Sequence, residues 1–299
     1  MSAIGFPAHL LSVLSCRYCF GELTSKNQGR IIDGEVECIR CKKIYSVRYG
    51  IILLVEFEEL DDLRKSEIKS RDEDALRYDR RLAARYEKEV VSTLRAIGDV
   101  GGKTVIEYGA GTGRLTREYA AHAKTVIASD FSFESLKVLS DNLPSNANVG
   151  LVCADATDFP LRPGAFDLAL ATQFYEHLPT KELRENFLAG CALALRPGGA
   201  FISTTYHYDL RMRLRNKQQE GMHPTGIFYH YYTADELRRD IGTHFFVQEV
   251  RPIDITLPLE ARIRLSPILG GLISRLCERI PLLRDFGHLL MVVAYKINK

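Results

Sequence analysis

Hydrophobic residues recur along most of the chain in short runs, each about as long as a buried strand. Such runs lie at 125–129, 149–153, 166–170, 201–205, 245–250 and 289–296. The stretches between them carry apolar residues at helical spacing. Alternation of short apolar runs with helical segments is typical of a doubly wound, mostly parallel sheet. The pattern therefore predicts a large α/β domain.

A glycine-rich turn follows the first predicted strand of this domain. Residues 103–113 read Lys-Thr-Val-Ile-Glu-Tyr-Gly-Ala-Gly-Thr-Gly. The segment at 112–122 has helical character, which predicts a helix there. We expect Gly109 to permit the tight turn, Gly111 to bring the backbone close to a ligand, and Gly113 to let the helix start against the strand. A dinucleotide-binding turn would carry a third glycine at Arg114. The arginine there disfavours a dehydrogenase.

The order Glu-x-Gly-x-Gly-x-Gly resembles motif I of the class I S-adenosylmethionine-dependent methyltransferases. Four further matches follow in that family's order: Asp130 after the second strand, Asp155-Ala156 after the third, Gln173 after the fourth, and Leu195-Arg-Pro-Gly-Gly199 before the fifth. They cover about residues 78 to 250. The resemblance implies the α/β class I methyltransferase fold, a Rossmann-like doubly wound sheet, with S-adenosylmethionine as cofactor.

The resemblance also implies which residues hold the cofactor. Asp130 would accept hydrogen bonds from both ribose hydroxyls, as a carboxylate can. Asp155 would accept from the adenine amino group, and Gln173 would touch the methionine part. The predicted cofactor residues are Tyr78, Tyr86, Glu107, Gly109, Ala110, Gly111, Gly113, Asp130, Phe131, Asp155, Ala156 and Gln173.

Three consecutive residues after the fourth strand are candidates for the catalytic side: Tyr175, Glu176 and His177. Methyl transfer from a sulfonium mainly needs alignment, and a general base is required only when the nucleophile arrives protonated. His207 and His230 are further candidates for that base. A lone histidine more often packs or forms a hydrogen bond, so whether a base is used stays open.

The N-terminal part carries a metal-binding pattern. Cys16-Arg-Tyr-Cys19 and Cys38-Ile-Arg-Cys41 are two Cys-x-x-Cys pairs separated by eighteen residues. Four thiolates at this spacing suit a structural Zn²⁺ site with no open position. Residues 8 to 56 resemble the small zinc-ribbon activator protein of several methyltransferases. The resemblance implies a stabilising or substrate-presenting module.

These observations predict three parts: a zinc ribbon at 1–56, a charged linker at 57–75, and a methyltransferase domain at 76–299. The last part carries inserts at about 206–232 and 252–287. The composition is ordinary for a soluble protein, with 46% hydrophobic residues and a net charge of +2. The N-terminus has no basic region of a signal peptide, and no apolar run is long enough for a membrane span. A cytoplasmic location is therefore predicted.

The two inserts bear on the substrate. The first contains Arg211, Arg213, Arg215 and Lys217 near an aromatic run, Phe228-Tyr-His-Tyr-Tyr232. The segment 257–286 has an apolar helical stripe flanked by arginines, which could lie on a membrane surface or serve as core or dimer contact.

The sequence favours methyl transfer to an oxygen or nitrogen acceptor of a small-molecule, lipid-linked or glycan substrate. One alternative is a tRNA or rRNA methyltransferase that holds RNA with the ribbon and the basic loop. A second is a non-catalytic scaffold that retains the cofactor fold. The acceptor atom and the oligomeric state are left open by the sequence.

Overall fold

The computed structural model of the chain describes residues 3–255 and 267–297, with the backbone alone at 77–87, 267–268, 275 and 281–282. Its strands in chain order are β1 (Phe6–Pro7), β2 (Leu23–Thr24), β3 (Arg30–Ile31), β4 (Gly34–Cys38), β5 (Ile44–Arg48), β6 (Ile51–Leu53), β7 (Thr104–Tyr108), β8 (Thr125–Asp130), β9 (Val149–Cys153), β10 (Phe166–Thr172), β11 (Leu195–Tyr206), β12 (Glu220–Met222), β13 (Phe228–His230), β14 (Phe245–Ile255) and β15 (Gly287–Lys296). Its α-helices are α1 (Asp62–Ile97), α2 (Thr116–Tyr119), α3 (Phe133–Asn142), α4 (Lys181–Ala194), α5 (Leu210–Leu214), α6 (Ala234–Ile241), α7 (Pro267–Glu278) and α8 (Pro281–Arg284).

The central sheet confirms the predicted α/β class I architecture. Its core strands run in the order β9-β8-β7-β10-β11-β15-β14. The first five pair in parallel, and β15 pairs antiparallel with both β11 and β14. Strands β8 and β9 are buried along their whole length, as expected for parallel strands covered on both faces. The carboxyl ends of β7 to β10 therefore meet at one edge.

The helix predicted at 112–122 is shorter than expected. Gly113 has a φ of 83°, which is not a helical value, and α2 begins only at Thr116. It ends at Tyr119, after which the chain turns back to β8. Two of its side chains, those of Thr116 and Tyr119, point to the interior and reach Glu107.

The N-terminal part continues the central sheet. Beyond β9 the order goes on as β6-β5-β4-β2. Strand β6 pairs in parallel with β9, with Ile51 opposite Leu151. Phe6 fills the space above Gly150, where an added Cβ would lie 2.6 Å from the Phe6 ring. The predicted division at residue 56 therefore cuts through one sheet and one core.

The predicted linker at 57–75 is wrong, because α1 runs unbroken from Asp62 to Ile97. Asp61 caps the helix by accepting from the Arg64 backbone N–H at 2.8 Å. Several of the charged side chains are paired against the domain instead of solvated. Glu67 is only 6% exposed and binds Arg71, and Asp72 accepts from the Ser132 hydroxyl. Helix α1 thus lies across the carboxyl edge of the sheet.

Both predicted inserts hold structure of their own. The first contains α5, capped by Asp209, and the antiparallel hairpin β12-β13. The second contains α7 and α8, while 256–266 lie outside the described residues. Within the described ranges, no helix is long and apolar enough to cross a membrane.

Candidate active site

A cavity opens at the carboxyl ends of β7, β8, β9 and β10, between these strands and α1. Side chains of α1 line one wall, and Thr225 and Ile227 from the β12-β13 hairpin reach its rim. Ten residues predicted from the sequence line it: Glu107, Gly109, Ala110, Gly111, Asp130, Phe131, Asp155, Ala156, Gln173 and His177. Ligands in open α/β sheets bind at this edge.

The three glycines of the turn have distinct surroundings. All have positive φ: 66° at Gly109, 54° at Gly111 and 83° at Gly113. A Cβ on Gly109 would lie 2.8 Å from Phe174, and one on Gly113 only 2.1 Å from Leu139. A Cβ on Gly111 would meet nothing within 4 Å. The backbone at Gly111 therefore borders open space in which a ligand can approach.

Asp130 is fixed at the end of β8 by two backbone donors. Its Oδ2 accepts from the Gly111 N–H at 2.8 Å, and its Oδ1 accepts from the Ser132 N–H at 2.9 Å. Burial raises the pKa of this carboxyl. Each oxygen keeps a second lone pair, so the geometry suits the predicted ribose contact. Next to it, the Arg71 guanidinium lies 5.6 Å from the centre of the Phe131 ring.

Asp155 is held by two partners within the protein. Its Oδ1 accepts from the Thr157 backbone N–H at 2.9 Å, and its Oδ2 forms an ion pair with Arg64 of α1. The carboxylate therefore joins α1, which we call the lid helix because it covers the cavity, to the end of β9. Contact with an adenine amino group would have to use the lone pairs that these partners leave.

Glu107 is buried at the end of β7 and anchors α2. Its Oε2 accepts from the Thr116 hydroxyl at 2.8 Å and from the Tyr119 hydroxyl at 2.7 Å. Burial raises the pKa of Glu107 to about 7. Its clearest role in the structure is to hold the glycine-rich turn against the helix that follows.

A buried acid on α1, Glu89, forms a hub that the sequence reasoning missed. It is 1% exposed and accepts from the guanidinium of Arg114 at 2.7 Å, from the side-chain amide of Gln173, and from the hydroxyl of Thr204. Arg114 and Gln173 both line the cavity. Gln173 itself has a strained φ of 48°. The hub thus ties α1 to the ends of β7, β10 and β11.

His177 is the predicted catalytic residue that reaches the cavity. Its Nδ1 donates to the carbonyl oxygen of Phe228 at 2.7 Å, which leaves Nε2 as the basic nitrogen. Burial, together with the nearby charge of Arg71, lowers the pKa of His177 to about 3. The imidazole is therefore neutral at physiological pH.

Tyr175 and Glu176 do not line the cavity. Tyr175 is fully buried, with its ring 5.5 Å from that of Tyr232 and its hydroxyl 3.4 Å from Asp240. Glu176 is also fully buried, and its Oε2 accepts from the Thr205 hydroxyl at 3.0 Å. The 3-10 turn Tyr175–His177 sends these two side chains into the core and only the third to the cavity. We therefore do not retain them as catalytic candidates.

The remaining candidates lie elsewhere. His207 is buried with Nδ1 2.7 Å from the Gly287 carbonyl, and His230 sits between Glu220 and Glu236. Neither lines the cavity in the described part of the chain. Tyr78 and Tyr86 fall on α1, but their side chains lie outside the described residues.

A group of partly exposed rings adjoins His177. We call it the ring cluster; it comprises His177, Tyr206, His223, Tyr229 and Tyr231. The ring of His177 lies 5.8 Å from that of Tyr206, which stacks on Tyr231 at 5.3 Å. His223 lies 4.6 Å from Tyr229. His177 comes from the turn after β10, Tyr206 from the end of β11, and the other three from the β12-β13 hairpin and the residue that follows it. The first insert thus supplies most of an aromatic surface beside the cavity.

The four predicted metal ligands come together. The sulfurs of Cys16 and Cys41 are 3.5 Å apart, as are those of Cys19 and Cys38, and all four lie within 4.8 Å of one another. Tetrahedral Zn²⁺ with Zn–S bonds of about 2.3 Å needs sulfurs about 3.8 Å apart. A Cβ on Gly21 would lie 2.9 Å from the Cys38 sulfur, so the turn leaves room only for glycine. The donor set and its spacing fit a structural zinc ion.

Comparisons with known proteins agree with the fold. Residues 106–203 match the family model described as a methyltransferase domain. A ubiquinone biosynthesis O-methyltransferase of Burkholderia pseudomallei is 27% identical over 65% of this chain and 79% of its own. A demethylmenaquinone methyltransferase of Clavibacter sepedonicus is 33% identical over 38% of this chain and 44% of its own.

A solved structure extends this likeness over more of the chain. The 1,6-didemethyltoxoflavin-N1-methyltransferase of Burkholderia thailandensis, bound to 1,6-didemethyltoxoflavin and S-adenosylhomocysteine, superposes with a TM-score of 0.55 and 18% identity. The match covers 89% of this chain and all of that one. At this identity the likeness concerns the fold. With the matched methyltransferase domain and its relatives, these findings show that the protein is an S-adenosylmethionine-dependent methyltransferase with the class I α/β fold.

Proposed function

We propose that this methyltransferase transfers a methyl group to a hydroxyl oxygen of an aromatic small molecule, with His177 as the general base. The observation that carries the proposal is the setting of His177. Its Nδ1 is committed to the Phe228 carbonyl, its Nε2 is left basic, and it lies where the cavity meets the ring cluster.

The cofactor would be held by groups along the carboxyl edge. We assign binding of the ribose to Asp130 and binding of the methionine carboxylate to Arg114. The backbone at Gly111 would let the cofactor approach the glycine-rich turn closely. Arginine suits a carboxylate because its donors form a planar fork. When bound, S-adenosylmethionine supplies a methyl group activated by a sulfonium sulfur, which keeps the electron pair of the broken bond.

A base is needed because an aromatic hydroxyl is protonated at neutral pH, with a pKa of about 10 in the tyrosine side chain. As the hydroxyl oxygen bonds to the methyl carbon, its O–H becomes strongly acidic. The proton then passes to Nε2 of His177. A weakly basic imidazole suffices for a proton released in this way, and its low pKa keeps it unprotonated before the reaction.

The acceptor class follows from the ring cluster. Partly exposed tyrosine and histidine rings offer flat faces and edges for stacking on a planar ring, and their polar tips can bind its oxygen substituents. One relative named above is called a ubiquinone biosynthesis O-methyltransferase and another a demethylmenaquinone methyltransferase, which supports a small aromatic acceptor. Aromatic rings beside a neutral base are what such an acceptor requires.

We also propose a structural Zn²⁺ bound by Cys16, Cys19, Cys38 and Cys41. Four thiolates fill the tetrahedral coordination and leave no position for a substrate. The Tyr45 hydroxyl lies 3.1 Å from the Cys16 sulfur and supports it from outside the ligand set. The ion would stabilise the β2-β4-β5 extension of the central sheet.

Recognition of RNA by the first insert has less support. Arg211 is paired with Asp209, and Arg213 is paired with Asp285. Arg211 and Arg213 are therefore already paired within the protein, which reduces the positive charge that the first insert offers to RNA.

A label transfer tests the proposed substrate class. The purified protein is incubated with methyl-labelled S-adenosylmethionine and a cell extract, and the products are separated into RNA, protein, lipid and metabolite fractions. We expect alkali-stable label in aromatic compounds of the lipid or metabolite fractions. Label found only in RNA or protein would contradict the proposal.

A further inference from the structure

Helix α7 carries a row of exposed leucines, and an exposed isoleucine follows its end. Leu269, Leu272, Leu276 and Ile280 are 45%, 46%, 60% and 47% exposed. The spacing of three and four residues places the three leucines along one side of the helix. The face that packs on the protein carries Gly270, Ser274 and Cys277 instead, which are buried.

This distribution is the reverse of the usual one. A surface helix of a globular protein buries its leucines and exposes its polar residues. Here the buried side is anchored by a polar contact, since the Ser274 hydroxyl accepts from the Ile255 N–H at 2.9 Å. A row of exposed leucines of this kind marks a surface that contacts another protein or a membrane.

Basic residues border the apolar row. Arg279 and Arg284 are exposed at the C-terminal end of α7 and on α8. Helix α5 is joined to the end of α8 by an ion pair of 3.0 Å between Arg213 and Asp285. Three more exposed residues lie at the end of α5 and directly after it: Leu214, Arg215 and Lys217.

We propose that α7, together with the exposed cations Arg215, Lys217, Arg279 and Arg284, docks on the surface of a lipid bilayer that contains anionic lipids. Exposed leucines next to arginines and lysines are the arrangement of an interfacial helix: the apolar side chains enter the acyl boundary and the cations meet the phosphates. A second copy of this chain fits less well, because two like-charged borders would face each other. The docking would give the active site access to acceptors dissolved in the bilayer.

The test is co-sedimentation of the full-length protein with sucrose-loaded vesicles. We compare phosphatidylcholine alone with phosphatidylcholine containing phosphatidylglycerol, at low and at high salt. Binding should require the anionic lipid, fall at high salt, and drop roughly tenfold in the double variant Leu272→Glu/Leu276→Glu. The matched control is Leu193→Glu, which changes a 55% exposed leucine on α4 and should bind like the parent.

Binding to anionic vesicles that is equal in parent and double variant, or absent in both, would overturn the proposal. So would a concentration-dependent dimer in analytical ultracentrifugation that the double substitution abolishes, because α7 would then be an interface between copies. Binding of S-adenosylhomocysteine by both variants checks that they fold. The proposed chemistry is measured separately with a water-soluble acceptor and no vesicles, so the two proposals can fail independently.

Discussion

The Glu89 carboxylate accepts from the Arg114 guanidinium at 2.7 Å, across the boundary between the lid helix and the glycine-rich turn. Glu89 is 1% exposed, and its other donors are the side chains of Gln173 and Thr204. A buried carboxylate is tolerable only when such partners neutralise it. The pair therefore fixes the position of an arginine that lines the cavity.

The role assigned to Arg114 predicts a selective loss of affinity. Arg114→Gln should weaken binding of S-adenosylhomocysteine at least about tenfold, because one charge-assisted contact to the carboxylate is lost. Binding of 5′-methylthioadenosine, which lacks the amino-acid part, should change little. Calorimetric titration of both ligands measures the difference. The control is Arg95→Gln, which changes an exposed arginine on α1. Equal losses of affinity for both ligands in Arg114→Gln would contradict a contact between Arg114 and the carboxylate.

Glu89→Gln should act on the same ligand indirectly. The amide keeps the size of the side chain but removes the charge that holds Arg114, so we expect a smaller loss for S-adenosylhomocysteine than in Arg114→Gln. In the double variant the two effects should not add, since residues in one network couple. Additive losses would show that Glu89 only supports the fold.

The buried imidazole of His177 should make the free energy of unfolding of the protein depend on pH. Burial lowers its pKa to about 3, below the value of about 6.5 in an unfolded chain. Between these values the unfolded state binds more protons, so this contribution is fully present above pH 6.5 and is lost as the pH falls toward 3, by up to about 1.4 kcal/mol per pH unit. In urea unfolding at pH 5 and pH 7, His177→Gln should lose less stability on acidification than the parent. The exposed His122→Gln should behave like the parent, and an unchanged slope in His177→Gln would contradict the assignment.

Glu176 predicts the opposite trend. Burial raises its pKa to about 8, above the value of about 4.3 in an unfolded chain. The folded state therefore holds a proton that the unfolded state has lost, and stability declines as the pH rises from about 4.3 to 8. Glu176→Gln should remove this decline and be more stable than the parent at pH 8. Urea unfolding at pH 6 and pH 8 measures it; a parent and variant with the same slope would refute it.

Loss of zinc should reach beyond the metal site. Elemental analysis should find about one zinc per chain, and Cys19→Ser should abolish it. Because β6 pairs with β9 and Phe6 packs over Gly150, we expect unfolding of the extension to lower the melting temperature of the whole protein. Cys277→Ser, a buried cysteine outside the cluster, should keep its zinc. Full zinc content in Cys19→Ser would exclude the site.

Local patterns carried most of what could be predicted. The strand and the glycine-rich turn around Gly109, Gly111 and Gly113 form from neighbouring residues, so they could be predicted from the sequence there, whereas the start and length of α2 could not. Asp130 could be placed for the same reason. The clustering of Cys16, Cys19, Cys38 and Cys41 could be predicted because each Cys-x-x-Cys pair is a local turn.

Contacts between distant segments account for the misses. The charged stretch at 57–75 resembles a linker in the sequence because its partners lie far along the chain, as Asp155 does for Arg64. Glu89 lies beyond that stretch on the same helix, and its partners Arg114, Gln173 and Thr204 are also distant in sequence. The parallel pairing of three residues of β6 with β9 has no signal in either strand. For the residues after β10, only the fold shows which of three neighbours reaches the cavity.

Transfer to an aromatic hydroxyl by His177→Gln measures the central claim most directly. With a catechol or quinol acceptor and saturating S-adenosylmethionine, kcat should fall about 100- to 10,000-fold relative to the parent, while the affinity for S-adenosylhomocysteine stays the same. His122→Gln should retain the activity of the parent. Unchanged turnover in His177→Gln, or no transfer by the parent to any hydroxylated ring, would contradict the account.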